Sequence, residues 1–443
     1  MNGNSILQDL LSAARKAGAE RADALLVNRT SLSVERRLGQ TETLERSESQ
    51  DLGLRVFCGA KSAIFSATSV DPARFSALAE RAVAMARLVP DDPLADLCAQ
   101  AEAAPDAAFL DMLDPAEPAV EQLIARADAA EAAALAVPGI TNSEGGSAGF
   151  GRSDLFLATS AGFAGAYARS SHSHSASVIA GEGTGMQRDY DYHSAVHLAD
   201  LDDPAAIGHS AGERAVSRLN PTRPKTGQMP VMYDPRVAGS LVGHLSSAIN
   251  GASIARGTSF LKDRMGQRLF RAGVHIHDDP LRVRGARSGT FDAEGVPKRA
   301  WTLIEDGVLT TWLLDSRSAR QLGLRTTGHA SRGPSSPPSP SATNLYMAAG
   351  EATPAELMAD IVEGIYITEL IGMGINSLTG DYSRGAAGFM IRNGALAEPV
   401  AEITVAGNLV DMFASMVPAN DLVFRRGTDA PTIRVDGMTV AGA

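Results

Sequence analysis

Apolar residues recur at helical spacing near the start of the chain, at Ile6, Leu7, Leu10, Leu11 and Ala14, with Ser5 placed to cap the helix and Gly18 to end it. Residues 23–28 (DALLVN), 31–36 (SLSVER), 52–58 (LGLRVFC) and 61–68 (KSAIFSAT) then carry short apolar or alternating patterns, punctuated by Gly39, Gly53 and Gly59. That pattern predicts an antiparallel sheet with tight connections. Helical spacing returns at 72–88 and at 117–137. Alternation resumes from 139 to 198, with Gly145, Gly146, Gly149 and Gly151 marking a turn, and 203–219 is helical again. Within 164–179 small polar residues fill every second place, as on a strand whose sheet has one solvated face.

Residues 219–230 (LNPTRPKTGQMP) hold three prolines, which suit neither a helix interior nor a central strand, and they mark a boundary. The predicted organisation is a first domain over 1–219, a linker over 220–230 and a second domain over 231–443. The second domain opens with a short strand at 231–233 and a helix at 235–249. Strands follow at 301–305, 308–314, 389–392, 400–405 and 432–435; Gly307 and Gly394 sit in hairpin contexts (IEDGVL, IRNGAL). The stretch 333–341 (GPSSPPSPS) reads as a loop, and helical spacing reappears at 354–370. The fold class is α+β, two domains, each a largely antiparallel sheet packed with helices.

Composition narrows the function. The 443 residues are 44% hydrophobic and 21% charged, values of a folded globular protein. A net charge of −11 repels phosphate backbones, and the Arg36-Arg37 and Arg425-Arg426 pairs are too short for a polybasic patch, so nucleic acid is not an expected partner. Two isolated cysteines, Cys58 and Cys98, fit a reducing cytoplasm and cannot build a disulfide framework. The charged, amphipathic N-terminus does not read as a signal peptide, and no apolar run is long enough for a membrane span.

Candidate chemistry is sparse. Ser147 and Ser210 each lie in G-x-S-x-G, but neither follows a buried strand and opens a helix; Ser147 reads as a turn serine and Ser210 as a helix-surface serine. His172/His174, His275/His277 and His193/His197 have metal-like spacing but no third ligand at a recognisable position, and read as surface or hydrogen-bonded histidines. Residues 371–380 (IGMGINSLTG) lack the third glycine of a dinucleotide fingerprint.

Six segments of the second half, in order, resemble the TldD/PmbA family: 255–261 (ARGTSFL), 291–297 (FDAEGVP), 304–309 (IEDGVL), 341–350 (SATNLYMAAG), 388–394 (GFMIRNG) and 403–408 (ITVAGN). Residues 47–56 (SESQDLGLRV) carry a weaker likeness in the first half. TldD-type chains of that family bear His-Glu-x-x-x-His on a helix, where the ligands can hold zinc and activate water. Aligned on Gly257-Thr258-Ser259, those ligand positions fall here on Val242, Gly243 and Ser247, and His244 is out of register with them. The family's C-terminal cysteine ligand also has no counterpart in 427–431 (GTDAP). The chain therefore resembles the PmbA (TldE) form.

The resemblance implies a cytoplasmic heterodimer with a TldD-type metallopeptidase subunit, zinc on that partner, and no metal, catalytic residue or cofactor in this chain. It implies a shared chamber for extended or unfolded peptides, including leader peptides, with Arg256, Thr258, Asn344 and Tyr346 as candidate chamber-lining residues. Main-chain pairing with an exposed strand would suit such sequence-tolerant binding. Two readings from other classes stay open: a non-enzymatic modulator or binding protein acting alone, of gyrase-modulator type, and a self-sufficient hydrolase with unrecognised ligands. A homodimer of the isolated chain is compatible with the first reading, whereas one that stays stable in the presence of a TldD-type chain would favour these.

Overall fold

The computed structural model describes residues 3–103 and 106–442. The first half contains α1 (Gly3–Lys16), β1 (Arg21–Arg37), β2 (Gln40–Cys58), β3 (Lys61–Ala67), α2 (Phe75–Leu88), α3 (Val120–Leu135), β4 (Ile140–Thr159), β5 (Ala164–Ala180), β6 (Gln187–Ala195) and α4 (Pro204–Ser217). Among the described residues its strands form a six-stranded antiparallel sheet in the order β3-β2-β1-β4-β5-β6.

Because side chains alternate across a strand, each long strand of this sheet has two different fates. The even-numbered positions of β1, β2, β4 and β5 face the helices. At one end Ala24, Leu26, Leu52, Leu54 and Val56 pack with Leu7 and Leu10 of α1 and Ala79 and Ala82 of α2. At the other end Val34 and Ala148 meet Leu123 and Ala127 of α3, while Ala176 and Val178 meet Ala130 and Ala134 of α3 and Ala211 and Ala215 of α4. Alanine at these helix positions brings helix and sheet backbones close. A Cβ on Gly146 would come 2.2 Å from the Ala127 carbonyl oxygen.

The odd-numbered face is apolar only at one end, where Leu25, Val27 and Leu157 cluster with Phe163 and with Phe291 from the second half. Asp23, on the same face, is fully enclosed. Arg55 of β2 donates to it from Nε at 2.8 Å, and Arg332 of the second half reaches it at 2.6 Å. Burial opposes the Asp23 charge, but the Arg332 and Arg55 guanidiniums outweigh it and hold the carboxyl below its ordinary range.

The second half contains β7 (Gly227–Tyr233), α5 (Pro235–Ala248), α6 (Gly251–Ala255), β8 (Ile276–Asp278), β9 (Trp301–Glu305), β10 (Val308–Leu309), α7 (Ser316–Leu322), β11 (Ala330–Ser331), β12 (Ser339–Pro340) and β13 (Leu345–Met347). It continues with α8 (Pro354–Met358), β14 (Glu363–Ile375), β15 (Asp381–Arg392), β16 (Ala395–Asn408), α9 (Leu409–Ser415), β17 (Val417–Pro418), β18 (Thr428–Asp429) and β19 (Ile433–Ala441). One sheet runs β16-β15-β14-β7-β19-β17, with β7 and β14 parallel, and β19 also pairs with β16, so the sheet closes on itself. A second runs β10-β9-β8-β13-β18. The buried face of α5, through Leu241, Val242 and Leu245, joins both sheets in one core.

The α+β class is as expected, and several local expectations are corrected. Gly145, Gly146, Gly149 and Gly151 do not form a turn; they lie within β4, where Gly145 (φ +116°) sits at a bulge. Gly53 does not punctuate either. It lies inside β2 because the 333–341 segment presses on the sheet there, and a Cβ would come 2.2 Å from the Pro334 carbonyl oxygen. That segment is a loop apart from β12, which pairs with β11. Ser5 lies within α1, not ahead of it. The helix predicted over 354–370 stops at Met358. Its β-branched continuation, with Ile365 and Ile367 buried, forms β14. The first strand of the second half begins at Gly227, inside the stretch read as linker. Pro230 is tolerated because the ladder to β19 is irregular between Val435 and Met438, opposite it.

Two predictions follow from the interior charges. Asp23→Asn leaves two buried guanidiniums without their carboxylate and is expected to cost about 3–5 kcal/mol in urea unfolding. Glu294, also enclosed, has its carboxyl pushed up to about 7, first by burial and then by Asp292. A raised folded-state pKa contributes stability that is fully present below the unfolded value of about 4.5 and is lost as pH rises through about 7. Urea midpoints should therefore fall across that interval in the wild type, and Glu294→Gln should reduce that fall.

Candidate functional site

The helix that carries the resemblance to a metal motif is α5. Asp234 caps it by accepting from the Arg236 N–H at 2.8 Å, and Pro235 starts it. Its three motif positions do not share one face. Val242 points into the core, 1% exposed, whereas Gly243 and Ser247 lie on the outward side. Positions five apart on a helix differ by about 140° in direction, which is why the core claims one of them. Ser247 donates its hydroxyl to the Gly243 carbonyl at 3.0 Å. A valine, a glycine and a back-bonded serine do not make a zinc donor set. His244 packs edge-on against Tyr382 with ring centroids 5.9 Å apart, and burial, aided by the Arg384 charge, lowers its pKa to about 4. Its imidazole is neutral at pH 7. Among the described residues no group of three or more His, Cys, Asp or Glu side chains is arranged to hold a metal ion.

Most of the other singled-out side chains have partners, but His174 has none among the described residues on either ring nitrogen. Ser147 and Ser175 hydroxyls are 2.8 Å apart, and Ser210 donates to Asp191 at 2.7 Å. His172 and His174 are not at the surface. They lie on the helix-covered face of β5, with His172 Nε2 3.1 Å from Asp114 and both rings held toward the neutral form by burial. His193 accepts from the Asp202 N–H, and His197 bonds the Asp111 carbonyl. His275 and His277 stack in parallel, with centroids 6.2 Å apart. Cys58 and Cys98 are free thiols, and no described helix is long and apolar enough to cross a membrane.

The four candidate chamber residues divide between two places. Asn344 and Tyr346 stand beside a cleft of about 760 Å³ between the odd face of the first sheet and loops of the second half. Asn344 lines it and Tyr346 packs on Phe424, which also lines it, at 5.0 Å. Arg256 is exposed at the end of α6, and Thr258 donates to the Ser253 carbonyl; their neighbours Gly257 and Ser259 line a separate shallow depression with Phe260. Asn344 is 4% exposed and fully bonded: Oδ1 accepts from the Arg287 N–H at 2.8 Å, and Nδ2 donates to the Asp279 carbonyl and to Ser288. It holds the 279–288 loop over the cleft.

The sheet pattern explains why the cleft exists. Moving along the odd face from Leu25 and Leu157 through Val27, Leu155 and Tyr167, the rungs change to Arg29, Ser49, Ser153 and Arg169, then to Ser31, Ser47, Gly151 and Ser171. Short side chains leave space above the sheet and supply hydroxyls. The rim is cationic: seven arginines line the cleft against two aspartates. The sequence reading missed this, having set Arg425-Arg426 aside as too short a run. The fold joins that pair to Arg282 and Arg284 of the 279–288 loop and to Arg29, Arg152 and Arg169 of the sheet.

Comparison with known proteins agrees with this architecture. Residues 22–86, 113–219 and 226–442 match domain 1, the central domain and the C-terminal domain of the PmbA/TldA metallopeptidases. The chain belongs to the TldD/PmbA metallopeptidase family. It is 36% identical to the metalloprotease PmbA of Escherichia coli O157:H7, over 99% of this chain and 96% of that protein. With the PmbA homolog of Haemophilus influenzae the figures are 33%, 97% and 94%. Among solved structures it superposes on a Bacteroides thetaiotaomicron protein described as a modulator of DNA gyrase with a TM-score of 0.90, at 26% identity over 99% and 98% of the two chains. It shares the fold of TldE from Thermococcus kodakarensis (TM-score 0.87, 17% identity, 98% and 99% covered).

Asn344→Ala strips three hydrogen bonds from a buried loop, so it is expected to lower stability by roughly 1–3 kcal/mol. Chemical denaturation, with proteolytic susceptibility of the 279–288 loop as the local readout, checks it.

Proposed function

We propose that this chain is the zinc-free subunit of a two-chain metallopeptidase, paired in the cytoplasm with a TldD-type subunit that carries the metal. The observation that carries this reading is the make-up of α5. The family's motif helix is present and well capped, but Val242, Gly243 and Ser247 stand at the ligand positions and one of them belongs to the core. Membership of a metallopeptidase family, shared with proteins named metalloprotease PmbA, supports a role in proteolysis. A fold retained without its ligands serves through its surfaces: it shapes a common chamber and holds an extended or unfolded peptide, such as a leader segment, near the partner's zinc. Asn344 and Tyr346 stand at the cleft that would face such a peptide, with Arg256 and Thr258 at a second point of contact.

The test is co-purification with the TldD-type chain of the same genome, followed by cleavage of an unstructured peptide by each chain alone and by the mixture. The expected outcome is a stable pair, activity in the mixture at least tenfold above either chain alone, and no stoichiometric zinc on this chain by elemental analysis after zinc reloading. Full activity of the TldD-type chain alone, or one tightly held zinc per copy of this chain, rejects the proposal.

A further inference from the structure

A second cavity of about 450 Å³ adjoins the arginine-rimmed cleft, and Arg169 lines both. The inner cavity lies between the apolar end of the sheet, through Leu155, Leu157 and Tyr167, and the 287–298 and 329–343 segments of the second half. Volumes of this size are those of ligand pockets. What distinguishes the inner cavity is the state of its cations.

Most charged groups in this interior are matched. Asp23 takes both Arg55 and Arg332; Asp278 accepts from the Thr343 N–H and hydroxyl and lies 3.2 Å from His329; Asp292 accepts three backbone N–H groups, from Glu294, Val296 and Ala330. Lys298 is not matched. Its side chain lines the inner cavity, and among the described residues no carboxylate lies within ion-pair distance and no acceptor meets its ammonium. Gly289 stands beside it, where a Cβ would make ordinary contact, 3.7 Å from Lys298 Nζ and 3.8 Å from the Tyr167 ring. Arg169 is similar. Its guanidinium donates to the Ser288 carbonyl at 3.2 Å and has no carboxylate partner among the described residues. Burial lowers the pKa of both groups; at Lys298 the charges of Asp292 and Asp278 oppose that shift without reversing it, so each group keeps a desolvation cost.

The outer cleft extends the pattern. Arg29, Arg152, Arg284 and Arg425 are paired with Asp51, Asp154, Asp111 and Asp202, whereas Arg282 lies over the Phe424 ring, 3.2 Å from its centroid, with no carboxylate in contact. Cations with no carboxylate in contact among the described residues thus stand at three depths, Arg282 and Arg426 at the rim, Arg169 at the junction and Arg287 and Lys298 inside, over a floor of serine hydroxyls. In an acidic chain this is a local reversal of sign.

We propose that the two adjoining cavities bind the carboxylates of an extended acidic peptide, with a carboxylate seated between Arg169 and Lys298 and a second acidic group at Arg282. Guanidinium and ammonium donors match carboxylate oxygens in charge and geometry, and the hydroxyl floor meets a peptide backbone without selecting side chains. The apolar wall of Leu155, Leu157 and Tyr167 suits the side chain or main chain beside the carboxylate. Nucleic acid fits less well, because of the four cations lining the inner cavity Arg332 is already taken by Asp23, and Asp292 stands among the others, which leaves no basic track for a repeating phosphate backbone. The inference rests on the peptide-holding role proposed above and deepens it, naming the chemistry of the peptide; its test needs neither partner nor cleavage.

The test is fluorescence anisotropy with the full-length chain and four labelled octapeptides. One has three glutamates and a free C-terminus; the others are its amidated form, its Glu→Gln form, and its amidated Glu→Gln form. We expect the Glu→Gln change to weaken binding tenfold or more. Weakening on amidation alone also supports the site and assigns the inner carboxylate to the peptide terminus. Lys298→Met and Arg169→Gln should each weaken the acidic peptide by about tenfold. Arg282→Ala, at the rim, should weaken it several-fold, with only the small fall in unfolding midpoint that loss of the Phe424 contact brings. Equal binding of all four peptides, no binding at millimolar concentration, or unchanged affinity in Lys298→Met and Arg282→Ala overturns the proposal. So does tighter binding of a ten-nucleotide single-stranded DNA that displaces the acidic peptide. Absence of acidic-peptide selectivity overturns this proposal alone, whereas failure to co-purify with the TldD-type chain, or zinc held on this chain, overturns the subunit role, so the two failures are distinguishable.

Discussion

The structure rests on the two-residue alternation of four long strands. Once the even positions of β1, β2, β4 and β5 are committed to the four helices, the odd positions must find cover or face water. At one end they are apolar and draw the second half of the chain onto them through Phe291, which lies 5.3 Å from the rings of both Phe163 and Tyr167. At the other they are serine, glycine and arginine, and the second half arches over without filling the space. The junction between halves and the cleft are two ends of one pattern.

Charge placement follows the same division. Where the two halves close tightly, buried ions are matched: Asp23 with its two arginines, Glu294 with the N–H and hydroxyl of Ser316. Where they part, cations outnumber anions. The matched set specifies how the halves register, since an aspartate enclosed by groups from two distant segments tolerates few other arrangements. The unmatched set is the part of the interior free to respond to something from outside.

Much of this was legible in the sequence. The helices α1 to α5 and most strands are visible as runs of period 3.6 or 2, and Leu38-Gly39, Asp306-Gly307 and Asn393-Gly394 adopt the left-handed pairs that tight hairpins require. The failures have specific causes. Glycines at 145–151 look like a turn because sequence does not reveal that a helix lies against Gly146. Residues 354–370 keep helical spacing while their β-branched side chains favour β14. The absence of ligands on α5 could be read by register, but the cleft could not. Its seven arginines come from residues 29, 152, 169, 282, 284, 425 and 426, never more than two close together along the chain, and the fold brings the separate groups to one place. Lys298 gave no signal, because isolation from carboxylates is a property of three dimensions.

The contact of Gly53 with the Pro334 carbonyl bears on how this chain can diverge. Within β2 three requirements share one phase: leucines at 52 and 54 toward the helices, Arg55 toward Asp23, and a residue without Cβ beneath the loop. A single insertion or deletion between 52 and 56 would rotate all of them to the wrong side at once, so homologous chains should keep this stretch fixed in length. The β1–β2 hairpin tip at Leu38-Gly39 has no such obligation, and a Cβ on Gly39 would meet nothing within 4 Å. Length variation in this sheet is therefore confined to its hairpin ends, and β2 serves as the ruler against which the two halves of the molecule are aligned.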